Sequence, residues 1–155
     1  MSPDSILRAT VRKAPLARAD ESVGDTVDRL VESELPALPV VDGDGRLVGI
    51  FGEREFIGAL FPGYLSELHS AAFVPGSIDE VIEQRLECRA KPVAEYVNSE
   101  HVDAGEDFSD TQLAETFLHH RVLIVPIVDR DRQPTGIVTR SDFFRSLAQR
   151  LKARD

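Results

Sequence analysis

The sequence predicts an α+β fold made of two βαββα units with a helical insert between them, and three observations carry that prediction. Leu38-Pro39-Val40-Val41-Asp42 returns as Val125-Pro126-Ile127-Val128-Asp129, and Gly49-Ile50-Phe51 returns as Gly136-Ile137-Val138, at one constant spacing (136 − 49 = 87). Within each copy the apolar pattern switches from a helical period to β-rich runs and back to a helical period. Between the copies, Pro62-Gly63 and Pro75-Gly76 are breakers that set off a segment with short elements of its own.

Taken in order, the first copy opens at Ala19-Asp20-Glu21-Ser22-Val23, matched by Ala104-Gly105-Glu106-Asp107-Phe108 in the second. This part of the match needs a length difference of about two residues at the helix end. A helix follows in each copy, with apolar spacing at Val27, Leu30 and Val31 and again at Leu113, Phe117 and Leu118. The apolar runs around Leu38–Val41 and Val125–Val128 then read as strands. Asp42-Gly43-Asp44-Gly45 is a natural hairpin turn, because glycine and aspartate tolerate positive φ. Its counterpart, Asp129 to Pro134, lacks glycine and is expected to be a looser loop. A calcium loop is the competing reading of the first turn, since Asp42, Asp44 and Glu53 fall at the first, third and twelfth places of an EF-hand. Arg46 and Leu47 stand where a ligand and the turn glycine belong, so the turn is preferred.

Each copy ends in a second strand and a closing helix. Phe56, Ile57 and Leu60 in one, and Phe143, Phe144, Leu147 and Leu151 in the other, cover more circumference than one small sheet buries. A partner chain is implied, unless the insert covers the excess. In that insert, YLSELHSAAF has the makings of a short helix. Ser77-Ile78-Asp79-Glu80 has capping-box spacing ahead of an apolar face of Ile78, Val81, Ile82 and Leu86. The expected organisation is therefore a first repeat over 1–60, an insert over 61–96 and a second repeat with its C-terminal helix over 97–155. The insert either covers core or dimer surface or forms a lid or docking site.

Composition narrows the function classes. A formal net charge of −9 with dispersed Lys and Arg repels nucleic-acid phosphates. Neither the N-terminal stretch nor any later one has the unbroken apolar run of a signal peptide or a membrane span. The single cysteine, Cys88, forms no intrachain disulfide, and a reducing cytoplasm is the expected location. No nucleophile elbow, P-loop or catalytic carboxylate pair is present, so no enzymatic activity is expected. His119-His120 at a helix end reads as a solvated or capping pair, and His69 and His101 have no ligand partner at useful spacing, so no metal is expected. Arg121 is placed either to reach a phosphate or to meet helix-end carbonyls.

The chemistry concentrates in Thr139-Arg140-Ser141-Asp142, where a strand gives way to a helix. The first turn of a helix leaves backbone N–H groups without intrahelical partners, and those donors and the positive end of the dipole suit an anion. Thr139 can donate its hydroxyl to a phosphate, Arg140 can neutralise charge, and Asp142 can accept hydrogen bonds from the vicinal hydroxyls of a ribose. Taken alone, the same residues make an ordinary cap, with Ser141 or Thr139 bonding the first turn and Asp142 answering the dipole, for about 1 kcal/mol.

Two units that each run apolar-Pro-Val/Ile-Val-Asp, turn, and Gly-apolar-apolar, the second continuing as Thr-x-x-Asp before an apolar helix, resemble a tandem CBS-domain pair, named after cystathionine β-synthase. The resemblance covers roughly Val11 to Leu60 and Val97 to Leu151. It implies two βαββα repeats packed around a pseudo-twofold axis, with clefts that accept AMP, ADP, ATP or S-adenosylmethionine, in a regulatory module and not a catalyst. It also implies that Thr139 contacts phosphate, Asp142 binds ribose, Ile124, Val125 and Pro126 line an adenine pocket, and Ala104 lies near the strand leading into it. In the first copy Gly52 replaces the Thr and Glu55 the Asp, which makes a degenerate second site with Arg54 as its candidate phosphate contact. Losing one hydrogen bond to a charged phosphate costs about 1.5–3 kcal/mol, roughly tenfold or more in affinity. The family further implies a homodimer through the closing helices. The leading expectation is a sensor that binds an adenine nucleotide, requires no other cofactor, and signals in trans to an effector protein that the sequence does not identify. The alternative is a CBS scaffold for dimerisation or docking that binds no ligand.

Overall fold

A computed structural model describes residues 5–61, 77–100 and 103–154. Its elements are α1 (Ile6–Thr10), β1 (Ala17–Arg18), α2 (Val23–Ser33), β2 (Ala37–Val41), β3 (Leu47–Gly52), α3 (Glu53–Leu60), α4 (Ile78–Gln84), β4 (Ala104–Gly105), α5 (Asp110–His119), β5 (Ile124–Val128), β6 (Pro134–Thr139) and α6 (Arg140–Lys152), with 3-10 turns at Leu86–Ala90 and Val93–Glu95. The expected βαββα order thus appears twice. Each half forms a three-stranded sheet, β1-β2-β3 or β4-β5-β6, whose first pair is parallel and second antiparallel. Pro62-Gly63, His69, Pro75-Gly76, His101 and the expected YLSELHSAAF helix lie outside the described residues.

The repeat is tighter than the sequence comparison indicated. Ala17, not Ala19, is the counterpart of Ala104: Ala17 pairs with Val40 as Ala104 pairs with Ile127. Ser22 caps α2 and Ser109 caps α5, each hydroxyl accepting from the amide three residues on. The spacing of 87 therefore runs unbroken from the start of each unit, and the two-residue length difference disappears. The second turn is also not looser. Asp42 Oδ1 accepts from the amides of Asp44 and Arg46, and Asp129 Oδ1 accepts from those of Asp131 and Gln133. Where Gly45 takes φ +80°, Arg132 takes φ +63° and pairs with Asp103 at 2.7 Å. An arginine accepts the left-handed conformation there in place of glycine.

Three apolar clusters make the core. One fills the first repeat around Val23, Val40, Phe51 and Val93, and one fills the second around Leu7, Leu113, Val138 and Phe143. The third lies between the repeats and takes Leu38 and Ile50 from one half and Ile124 and Ile137 from the other. The segments that precede the repeats cross over. Arg12 exchanges both backbone hydrogen bonds with Ile137 of β6, and Asn98 exchanges both with Ile50 of β3. These crossings explain why glycine recurs at 49 and 136: an added Cβ would lie 2.7 Å from the Asn98 carbonyl oxygen at one and 2.8 Å from Val11 Cγ1 at the other.

The N-terminal segment is fastened to the second repeat by a carboxylate. Asp110, at the first turn of α5, accepts from the amides of Ile6 (2.9 Å) and Leu7 (3.0 Å) and from the Ser5 hydroxyl (3.0 Å). Burial alone would raise its pKa, but those hydrogen bonds and nearby Arg150 hold it below the ordinary aspartate value. The apolar face expected on α4 is only partly used: Val81 is buried, whereas Ile78, Ile82 and Leu86 are exposed. Asp42 serves its own turn, and Glu53 sits beyond the far end of β3 at the start of α3, so a calcium loop has no geometric basis. Among the described residues, no helix is long and apolar enough to cross a membrane.

Candidate functional site

The junction of β6 and α6 carries the polar pair picked out by the sequence. Thr139 is the N-cap, with φ −87° and ψ 150°, and its Oγ1 accepts from the Asp142 amide at 3.0 Å. That bond is the ordinary capping arrangement. It leaves the hydroxyl proton of Thr139 without an acceptor among the described residues, although the residue is only 4% exposed. A buried donor with no partner is costly, and a ligand oxygen would satisfy it. Strand alternation puts Ile137 on the same sheet face as Thr139. Ile137 and Thr135, with Ala14 of the N-terminal segment and Pro39 of β2, line a cavity of about 220 Å³ between the repeats.

Asp142 is not free. Arg12 donates to its Oδ2 through Nε at 2.8 Å and also through Nη2, and Arg145 approaches Oδ1 at 3.4 Å. The carboxylate is 16% exposed and the Arg12 side chain 48%. Arg140 and Ser141 are exposed beside it, and the Arg140 amide donates to the Leu123 carbonyl, which fixes the start of α6 against the segment leading into β5. The sequence identified Thr139, Arg140 and Asp142 because they form one local motif. It missed Arg12 because that residue is 130 positions away, and only extending the repeat back to the crossing segments would have pointed to it.

The equivalent junction in the first repeat is built differently. Gly52 takes φ −151° and ψ −162°, and Glu55 folds back so that its Oε1 accepts from the Gly52 amide at 2.9 Å. Burial pushes the Glu55 pKa above its ordinary value, and hydrogen bonds to backbone amides together with Arg54 only partly offset that. A Cβ at Gly52 would lie 2.3 Å from the Pro36 carbonyl oxygen and 2.5 Å from Ala37 Cβ, so no hydroxyl side chain fits there. The adjoining cleft, lined by Arg54, Glu55, Asn98 and Arg121 among others, holds about 30 Å³, the space of one water. Arg121 of the second repeat thus belongs with the first-repeat junction and not with Asp142.

The remaining expected residues fall in the core. Ile124 is fully buried in the inter-repeat cluster and pairs in register with Thr139, so it lies next to the junction. Val125 is fully buried in the second-repeat cluster, and Pro126 is buried in β5 beside it. Ala104 pairs with Ile127 on the far side of β5 from β6. The structure therefore groups Thr139, Asp142, Arg140 and Ile124 with Arg12, and does not bring Ala104 to them. His119 ends α5 and His120 caps it, with the His120 amide donating to the Thr116 carbonyl.

The family model of the CBS domain matches residues 8–62 and 93–149. An inosine-5'-monophosphate dehydrogenase of Methanocaldococcus jannaschii is 25% identical over 136 residues, which are 88% of this chain but 22% of that enzyme. So partial an overlap does not carry the dehydrogenase activity across. The uncharacterized protein MJ1426 of the same organism is 20% identical over 92% of this chain and 90% of its own length. Among solved structures, CBSX2 in complex with AMP has a TM-score of 0.68 at 20% identity, covering 94% of this chain and 96% of that one. The CBS domain pair of MJ0100, in complex with 5'-methylthioadenosine and S-adenosyl-L-methionine, has a TM-score of 0.68 at 23% identity, covering 91% and 98%. At these identities the two structures speak for the fold.

Proposed function

This chain belongs to the CBS domain family, as a tandem pair, and from that premise we propose that it is a regulatory module that binds an adenine nucleotide at the β6–α6 junction. The observation that carries the reading is Thr139: a buried hydroxyl whose proton has no acceptor among the described residues, one turn from a carboxylate at the mouth of the same junction. In this reading the Thr139 hydroxyl and the Ser141 amide, which has no acceptor among the described residues, receive phosphate, Asp142 receives the ribose hydroxyls, and the base enters the apolar cavity by Ala14, Pro39 and Ile137. The AMP and S-adenosylmethionine complexes of the structural neighbours support an adenosine ligand. Occupancy would bias the packing of the two halves and be read in trans by an effector protein, with a coupling of about 1–3 kcal/mol as is usual for such switches.

Dimerisation through the helices is the second half of the proposal. Ile57 of α3 and Phe144 of α6 hold equivalent positions, as do Val31 of α2 and Leu118 of α5, and all four are mostly exposed. Matched apolar residues on both halves suit a symmetric partner of the same kind. Light scattering on the eluting protein at low concentration tests this, and a persistent monomer refutes it.

A scaffold that binds no ligand is favoured by one observation: both acids are already engaged, Asp142 by Arg12 and Glu55 by the Gly52 amide. Calorimetry with AMP, ADP, ATP and S-adenosylmethionine decides between the readings. The sensor requires heat from at least one of them with the wild type and its loss in Asp142→Ala. Absent heats leave the scaffold, and heats equal in the two proteins rule out this junction as the site.

A further inference from the structure

We infer that the ligand of this junction is an adenosine bearing anionic phosphate, and that Arg12 selects it over neutral or sulfonium-bearing adenosines by exchanging partners. The inference rests on the adenosine reading above and narrows it to one chemical class. Two guanidinium groups meet at one carboxylate, Arg12 and Arg145 at Asp142, and two residues before it Arg140 stands exposed at the start of α6 with no ion-pair partner among the described residues. The junction is cationic even in a chain of net charge −9.

A carboxylate offers about four acceptor positions, and Arg12 uses two of them on a single oxygen. Vicinal ribose hydroxyls that donate to Asp142 compete directly for Oδ2 and take the open positions on Oδ1. Arg12 then loses its partner. Its side chain is half exposed and comes from the crossing N-terminal segment, not from α6, so the head group can turn while the backbone bonds of Arg12 to Ile137 hold the segment in place. A phosphate arriving on the same ligand replaces the lost carboxylate oxygen with a charge-assisted hydrogen bond. A thioether supplies no such replacement, and a sulfonium adds positive charge to a cluster that already has too much.

The test is titration calorimetry of the full chain with AMP, 5'-methylthioadenosine and S-adenosylmethionine, for the wild type, Arg12→Gln and Arg12→Lys. The wild type should bind AMP at least about tenfold more tightly than either phosphate-free ligand, the loss expected for one charge-assisted bond. Arg12→Gln should lose most of that preference through weaker AMP binding, with 5'-methylthioadenosine affinity unchanged or improved, and Arg12→Lys should retain much of it. Wild-type binding of 5'-methylthioadenosine or S-adenosylmethionine as tight as that of AMP overturns the phosphate selection and leaves the adenosine site standing. So does an AMP preference that Arg12→Gln leaves intact. No binding of any of the three by the wild type overturns the selection and the adenosine reading together.

Discussion

The two strand-to-helix junctions hold equivalent places in the two repeats and solve one local problem in different ways. Both must satisfy the amides at the start of a helix that follows a buried strand without a loop. At Thr139 a side-chain oxygen does so from the cap position, which leaves Asp142 to face outward and pair with Arg12. At Gly52 no side chain is available, and Glu55 turns inward to meet the Gly52 amide instead. One carboxylate is presented at a mouth while its counterpart is consumed as a cap. The missing hydroxyl and the longer acid of the first repeat are therefore two parts of one substitution, and restoring either alone would not recreate the other junction.

The largest expected effect comes from trying to erase that difference. Gly52→Thr should destabilise the protein by about 3 kcal/mol, the upper range for overpacking, because its Cβ meets the Pro36 carbonyl. Urea denaturation measures it, and a variant of wild-type stability with a second nucleotide site would dissolve the distinction. Next come the two acids. Asp142→Ala should weaken nucleotide binding by about 1.5–3 kcal/mol while Glu55→Ala leaves it unchanged, as read by calorimetry.

Asp110→Asn should cost about 2 kcal/mol, since it weakens a charged cap made by three donors on the N-terminal segment. Its pH dependence runs opposite to that of Glu55. The Asp110 pKa is lowered by folding, so its stabilisation is present above the ordinary value of 3.8 and is lost as pH falls through the lowered folded value. The Glu55 pKa is raised by folding, so the folded state gains from protonation there and loses that gain as pH rises from 4.5 through the raised value. Stability curves of Glu55→Gln and Asp110→Asn against wild type should diverge in these two opposite directions. A Glu55→Gln difference that does not change with pH would contradict the burial argument.

The smallest effect concerns the turns, where the repeats agree. Gly45→Arg should cost only about 1–2 kcal/mol, the ordinary penalty for a left-handed residue, because Arg132 already adopts that conformation in the same turn. A far larger loss would mean that the two turns are less alike than their hydrogen bonds indicate.

The repeat, the strands and the polar pair were legible because they are local. Apolar runs, a turn aspartate and Thr-x-x-Asp report on neighbours within a few residues. What escaped was set by neighbours far along the chain. The clash that forbids a side chain at Gly52 comes from Pro36 and Ala37 on the adjoining strand, and the guanidinium on Asp142 comes from Arg12. The second turn closes as tightly as the first without glycine, because Arg132 tolerates the positive φ, and residue type alone does not show that. The apparent two-residue shift arose from matching Ala19 to Ala104 by residue type, when strand pairing selects Ala17.

The crossing segments bear on how such a chain could be taken apart. Arg12 completes the sheet edge of the second half and Asn98 that of the first, so each half lends the other a piece of backbone. A half-length polypeptide would carry its own donated piece and lack the one it receives. It would be complete only when two copies traded arms, which makes the doubled chain a covalent record of a partnership that a single half could never dispense with.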